Sequence, residues 1–185
     1  MPNDFTTAAQ QSQNDFLRHL QKPLEQLLEG RIVSTEGNGE IGQLLDTQAG
    51  IDAILAHPKY GLLGMGVRIQ YGCDYRTFTI RKHRESQAKT EYAKHAAALL
   101  EGGMTTKFNI HAYLDEKTGI LINAAIALTR DIYDCINKGL CDIRATGNDQ
   151  IGRAAFYVVD WATLRNNGLW IHEFKTATKN RRNTK

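Results

Sequence analysis

Along the chain, apolar positions recur in two rhythms, one near the helical repeat and one of period two. Phe16, Leu17, Leu20, Leu24, Leu27 and Leu28 follow the helical spacing. Pro23 falls inside that pattern, which predicts either a kink or a restart with proline in a first turn, and Gly30 closes it. Arg31–Thr35 reads as a short β-prone piece, followed by the loop GNGEIG. A hairpin is predicted next. Gly50–His57 and Leu62–Tyr71 are its strands, and HPKYG is its turn. Alternation puts Asp52 and Ile54 on one face of the first strand, and Arg68, Gln70 and Gly72 on one face of the second.

After Gly72-Cys73-Asp74 as a turn, Arg76–Arg84 (RTFTIRKHR) is a third strand with Phe78, Ile80 and Lys82 on one face. Ser86 is placed to cap a helix that runs to Glu101. Ala88, Tyr92, Ala96 and Leu99 form its apolar stripe, and Gly102-Gly103 ends it. Lys107–Leu114 and Gly119–Thr129 make a second hairpin around DEKTG. A short helix over Asp131–Lys138, a loop over Gly139–Arg153, a buried strand at Ala154–Asp160 and an edge strand at Leu169–Phe174 complete the chain. This order predicts an α+β or mixed α/β fold, with one central mixed sheet and flanking helices. The expected organisation is a mobile arm over 1–13, a single domain over 14–174 and a basic tail over 175–185.

Composition narrows the class. A chain of 185 residues, 42% hydrophobic and 23% charged, fits one soluble globular domain. Cys73, Cys135 and Cys141 are odd in number and lack CxxC spacing, and the six histidines lack metal-ligand spacing. The cysteines are therefore expected as reduced thiols in a cytoplasmic protein. No secretory start and no membrane-length apolar run is visible, so no membrane partner is expected. The net charge of +3 is unevenly spread. Lys175, Lys179, Arg181, Arg182 and Lys185 form a tail without an acid. A second basic stripe, Arg76, Arg81, Lys82, Arg84, Lys89 and Lys94, is offset only by Glu85 and Glu91. Such stripes suit a phosphate backbone, and the plainer reading is a solvated face. GNGEIG is not a GxGxxG that follows a strand and opens a helix, so a dinucleotide site is excluded. Ser34 and Ser86 have no evident base.

Asp52 at a strand start, with polar side chains of equal parity on its hairpin partner, is a pattern that converges on one point. Such a point suits a hard divalent cation. Helix, hairpin, strand, helix, strand, with AGIDAI opening the inner strand, resembles the restriction-endonuclease-like PD-(D/E)xK superfamily, in particular its Mrr-type members. The resemblance covers roughly residues 14–114. It implies a restriction-endonuclease-like core, a magnesium or manganese cofactor if the protein is active, and DNA more than RNA as substrate. It places Asp52 at the metal, joined by an upstream acid, Glu36 or else Glu25 or Glu29, with Asp46 as an additional carboxylate.

The second half of the family motif departs. One register puts Arg68 at the acid position and Gln70 at the lysine position. The other puts Gln70 first and Gly72 where lysine belongs. Lys82 or Lys89 is then the substitute cation, and Gln70 completes or orients the site. Nucleic-acid contacts are expected from Arg68, Arg76, Arg81, Arg84, Lys94, Lys179, Arg181 and Arg182. The expectation is a nucleic-acid-interacting protein, hydrolytic if the site is complete and a silent binding protein otherwise. A homodimer and a purely structural role both stay open. Asp52 has a plainer reading too, closing a turn or pairing with Arg68.

Overall fold

The computed structural model describes residues 4–35, 39–85, 89–146 and 154–175. Six strands form a central mixed sheet: β1 (Arg31–Ser34), β2 (Ala53–His57), β3 (Gly61–Tyr71), β5 (Thr106–Leu114), β6 (Leu121–Leu128) and β9 (Ile171–Lys175), in that spatial order. All neighbours are antiparallel except β3 and β5. A parallel pair needs a long crossover. Here it runs through β4 (Thr77–Arg84) and helix α4 (Glu91–Glu101). Instead of extending the central sheet, β4 pairs with β8 (Ala154–Asp160), which pairs with β7 (Asp142–Thr146), in a second sheet of three strands.

Both faces of the central sheet are covered, and this explains the composition of β5. Phe108, Ile110, Ala112 and Leu114 point to the side of Phe16, Leu20 and Leu24. Those three come from α1 (Asp4–His19), α2 (Gln21–Leu27) and the joint between them. Tyr113, on the other face, packs with Phe78 and Ile80 of β4, with Ile132 and Tyr133 of α5 (Thr129–Asn137), and with Trp161 and Leu164 of α6 (Trp161–Asn166). One face of β5 is thus wholly apolar, while the other buries Asn109 and His111 beside Tyr113. The Tyr113 hydroxyl pins the two sheets together by donating to the Thr77 carbonyl at 2.9 Å and accepting from the Thr77 N–H at 3.1 Å.

The central hairpin, the second hairpin, β8 and the edge position of β9 stand where the hydrophobic pattern put them, and Pro23 sits in the first turn of a restarted helix. Other segments differ. Helix begins at Asp4, within the stretch expected as an arm. Gly39–Ala49 is a helix, α3, and not a loop, so Asp46 is helical. The last four residues of GNGEIG, Gly39–Gly42, therefore open a helix that follows β1 in the chain. The flanking β1 and β2 pair antiparallel, however, so no parallel βαβ unit surrounds it. α4 begins at Glu91, where the Thr90 hydroxyl accepts the Ala93 N–H at 3.3 Å. Ser86 and Ala88 lie outside the described residues, as do Glu36, Lys179, Arg181 and Arg182. Asp142–Thr146 is a strand where a loop was expected.

Candidate functional site

The hairpin ladder stops before β3 does, and the site is built where it stops. β2 pairs with β3 only from His57↔Gly61 to Ala53↔Met65. The Asp52 N–H still donates to the Met65 carbonyl at 2.9 Å, and its carbonyl accepts the Thr35 N–H at 3.1 Å. Asp52 is thus pinned from both sides, and its carboxylate Oδ2 accepts the Val67 N–H at 2.6 Å. Such charge-assisted bonds to a backbone amide are among the stronger ones. Gly66 sits here because an added Cβ would lie 2.9 Å from the Asn109 Oδ1 on β5. That close approach lets Asn109 and His111 reach the space above β3.

The space is a polar cleft of about 180 Å³. α3 supplies Asp46, β3 supplies Arg68, β4 supplies Arg81 and Arg84, and α4 with its approach supplies Lys89, Glu91 and Lys94. Five cations therefore face Asp46, Asp52 and Glu91. The Arg68 and Arg81 guanidinium groups lie 4.9 and 5.5 Å from the ring centroid of Phe156, on β8. The Nε of Arg81 is buried without a hydrogen-bond partner. A buried donor left unpaired is costly, and in a cation-rich cleft it marks the position of an acceptor.

Neighbours tune these groups. Burial lowers the Arg68 pKa, and Glu91 opposes that shift. Burial pushes Glu91 up to about 7, against the pull of Arg68 and Lys94. His111 donates from Nδ1 to the Thr77 carbonyl at 2.9 Å. Burial, reinforced by Arg68, lowers its pKa to about 3, so the imidazole is neutral. α4 is locked to α3 at two points. The Lys94 Nζ donates to the Asp46 carbonyl at 2.8 Å, and the His95 Nε2 to the Ala49 carbonyl at 2.9 Å. Burial also lowers His95 to about 4.

Of the residues singled out by sequence, Asp46, Asp52, Arg68, Arg81, Arg84, Lys89 and Lys94 come together. Others stand elsewhere. Gln70 does not line the cleft, and its Oε1 is buried without a partner. Lys82 is exposed, with its Nζ 5.1 Å from the Tyr157 ring centroid. β4 is not a sheet neighbour of β3, so the expected cross-strand path from Lys82 is absent. Arg76 pairs with Asp74 at 3.1 Å, outside the cleft. Sequence reasoning left Glu91, Asn109, His111 and Phe156 unassigned. Glu91 carried one signal, an acid in a first helical turn beside basic residues.

Among the described residues no group of three His, Cys, Asp or Glu side chains is placed to hold a metal ion. Among the described residues the donor set does not by itself fit magnesium. Also among the described residues, no helix is long and apolar enough to cross a membrane. No family model matches the chain, and no curated protein or solved structure matches it either.

Proposed function

We propose that the cleft binds a phosphate of nucleic acid, DNA more than RNA, in the cytoplasm, on a scaffold built like a restriction-endonuclease core. The observation that carries this reading is the convergence of Arg68, Arg81, Arg84, Lys89 and Lys94 around an unpaired buried Arg81 donor. Arginine matches phosphate oxygens with a planar fork, and lysine adds a point charge. Asp52 and Glu91 give the cleft an orientation, because they oppose the anion on one side, where Asp52 holds the Val67 N–H and Glu91 attracts Arg68 electrostatically. The test is binding of short single-stranded and duplex DNA, read by fluorescence anisotropy between 50 and 200 mM salt. Affinity falls at least about tenfold over that range if phosphate contacts dominate. Binding that is absent at low salt, or flat with salt, rejects the reading.

A second reading, phosphodiester hydrolysis, is favoured by one observation: Asp52 and Glu91 open on the same cleft as the cations. Its test is strand cleavage with and without added Mg²⁺ or Mn²⁺. Cleavage should be lost in Asp52→Asn and Glu91→Gln while binding is kept. Binding without cleavage leaves a silent binding protein.

A further inference from the structure

A second cavity of about 180 Å³ adjoins the cleft and shares Asp52, Val67 and Arg68 with it. The two differ in character. The cleft is dense in charge. The second cavity is a slot lined by Phe16, Val67 and Ile69, with Ser12, Gln13 and Ser34 as its polar groups. Its long side is the free half of β3. Beyond Met65, among the described residues, no strand pairs with β3 on the β2 side. The Val67 N–H on that edge is taken by Asp52. Two residues on, the Ile69 peptide faces the same way, since alternate residues of a strand share an edge. It presents a donor and an acceptor side by side, with no described strand opposite.

A peptide N–H and C=O on an open edge match the donor and acceptor groups along the edge of a nucleobase. Val67 and Ile69 supply branched apolar walls for its faces, and Phe16, only 3% exposed, closes the slot behind them. The slot is too small for a base pair and ample for one heterocycle. It also begins at Arg68, where the phosphate cleft begins, and a nucleotide joins the same two chemistries over a few ångströms. We infer that the slot between α1 and the free edge of β3 binds a single unpaired nucleobase, whose own phosphate occupies the Arg68–Arg81 cleft. This rests on the phosphate reading of the cleft. It adds that the ligand is a nucleotide unit with its base unstacked, from a single strand or an extruded position.

The experiment is a ligand series on the intact chain by calorimetry, followed by amide NMR. The probes are thymidine 5′-monophosphate, deoxyadenosine 5′-monophosphate and deoxyribose 5-phosphate. The nucleotides bind at least about tenfold more tightly than the sugar phosphate, as base stacking contributes elsewhere. They shift the Ile69 amide, and the sugar phosphate does not. Ser12→Trp and Ser34→Phe fill the slot from opposite walls. Each removes the advantage of the base and leaves binding of the sugar phosphate unchanged. Equal affinity for all three probes overturns the slot and leaves the phosphate reading standing. An advantage that survives both filled variants overturns it too, since the base then sits elsewhere. No binding by any probe or by oligonucleotides rejects both readings. Nucleotide binding that a single-stranded pentamer does not compete for keeps the slot and rejects nucleic acid as the ligand.

Discussion

Helices α3 and α4 wall two cavities of opposite character. On one side α3 gives Asp46 and α4 gives Glu91 and Lys94 to the charged cleft. On the other, Leu45 and Leu99 line an open apolar groove of about 640 Å³, together with Ile51, Ile54 and Leu63. The groove is larger, yet the cleft carries more information. Its groups are held by specific bonds, its charges are partly desolvated, and one donor is left unpaired. The groove shows only exposure: Leu62 is 74% and Met104 66% accessible. Exposed apolar area points to contact without naming the partner, whereas fixed polar groups specify a chemistry.

The comparison is broken most strongly at Arg68. Arg68→Met should lower affinity for oligonucleotides by about a hundredfold, as expected for a charge-assisted contact made by a shielded group. Leu62→Ser in the groove should leave affinity unchanged. Anisotropy titrations at one salt concentration check both. Equal losses would mean that the nucleic acid spans both cavities.

The next largest effect is on stability and depends on pH. Glu91 is raised from 4.5 to about 7 by burial, so the fold favours its protonated form. As pH rises from about 4.5 to 7 the unfolded chain releases this proton before the folded chain does, and stability falls. Glu91→Gln removes the charge and keeps the shape. It should stabilise the protein by about 2 kcal/mol at pH 8 and by almost nothing at pH 4.5. Urea unfolding at the two values measures this. His111 and His95 work in the opposite sense. Their pKa values are lowered from 6.5 to about 3 and about 4, so they withdraw stability as pH falls below 6.5. Groove variants should show no such pH dependence.

Asp52 gives a smaller effect of another kind. Asp52→Ala strands the Val67 N–H at the end of the ladder and should cost about 1–2 kcal/mol in urea unfolding. Asp52→Asn keeps an acceptor and should cost less. Equal costs would show that the charge, and not the cap, holds the strand.

The charged cleft was half legible in the sequence, and the reason lies in how each residue reaches it. Asp52 and Arg68 belong to one hairpin, whose period-two pattern and turn residues are local signals. The basic stripe from Arg81 to Lys94 was visible as composition. What brings it over β3 is not local. β4 leaves the central sheet and pairs with β8, more than 70 residues away in sequence, and only this pairing sets Phe156 beside Arg68 and Arg81. Lys82 was expected on the face of Phe78 and Ile80, but it stands exposed at a register shift of β4 between Arg81 and His83, and the sheet it belongs to was not foreseen either. α3 was missed because glycines at 37, 39 and 42 speak for a loop. β7 was missed because all five of its residues are exposed, so it carries no hydrophobic alternation.

The smallest expected effect lies in the groove, and it sharpens the contrast. Leu62 is 74% and Met104 66% accessible, and both line the groove. In an isolated chain, Leu62→Ser and Met104→Gln remove little buried area, so each should change stability by no more than about 0.5 kcal/mol. Urea unfolding at low protein concentration sets that baseline. Repeating it at tenfold higher concentration asks whether a second copy covers the groove. A self-associating face makes stability rise with concentration, and the two substitutions would then abolish the rise. With no dependence on concentration, the groove is a face that this chain leaves open to itself. The difference between the two cavities beside α3 and α4 is then one between a site whose ligand is written into its polar groups and a surface that any apolar partner of suitable shape satisfies.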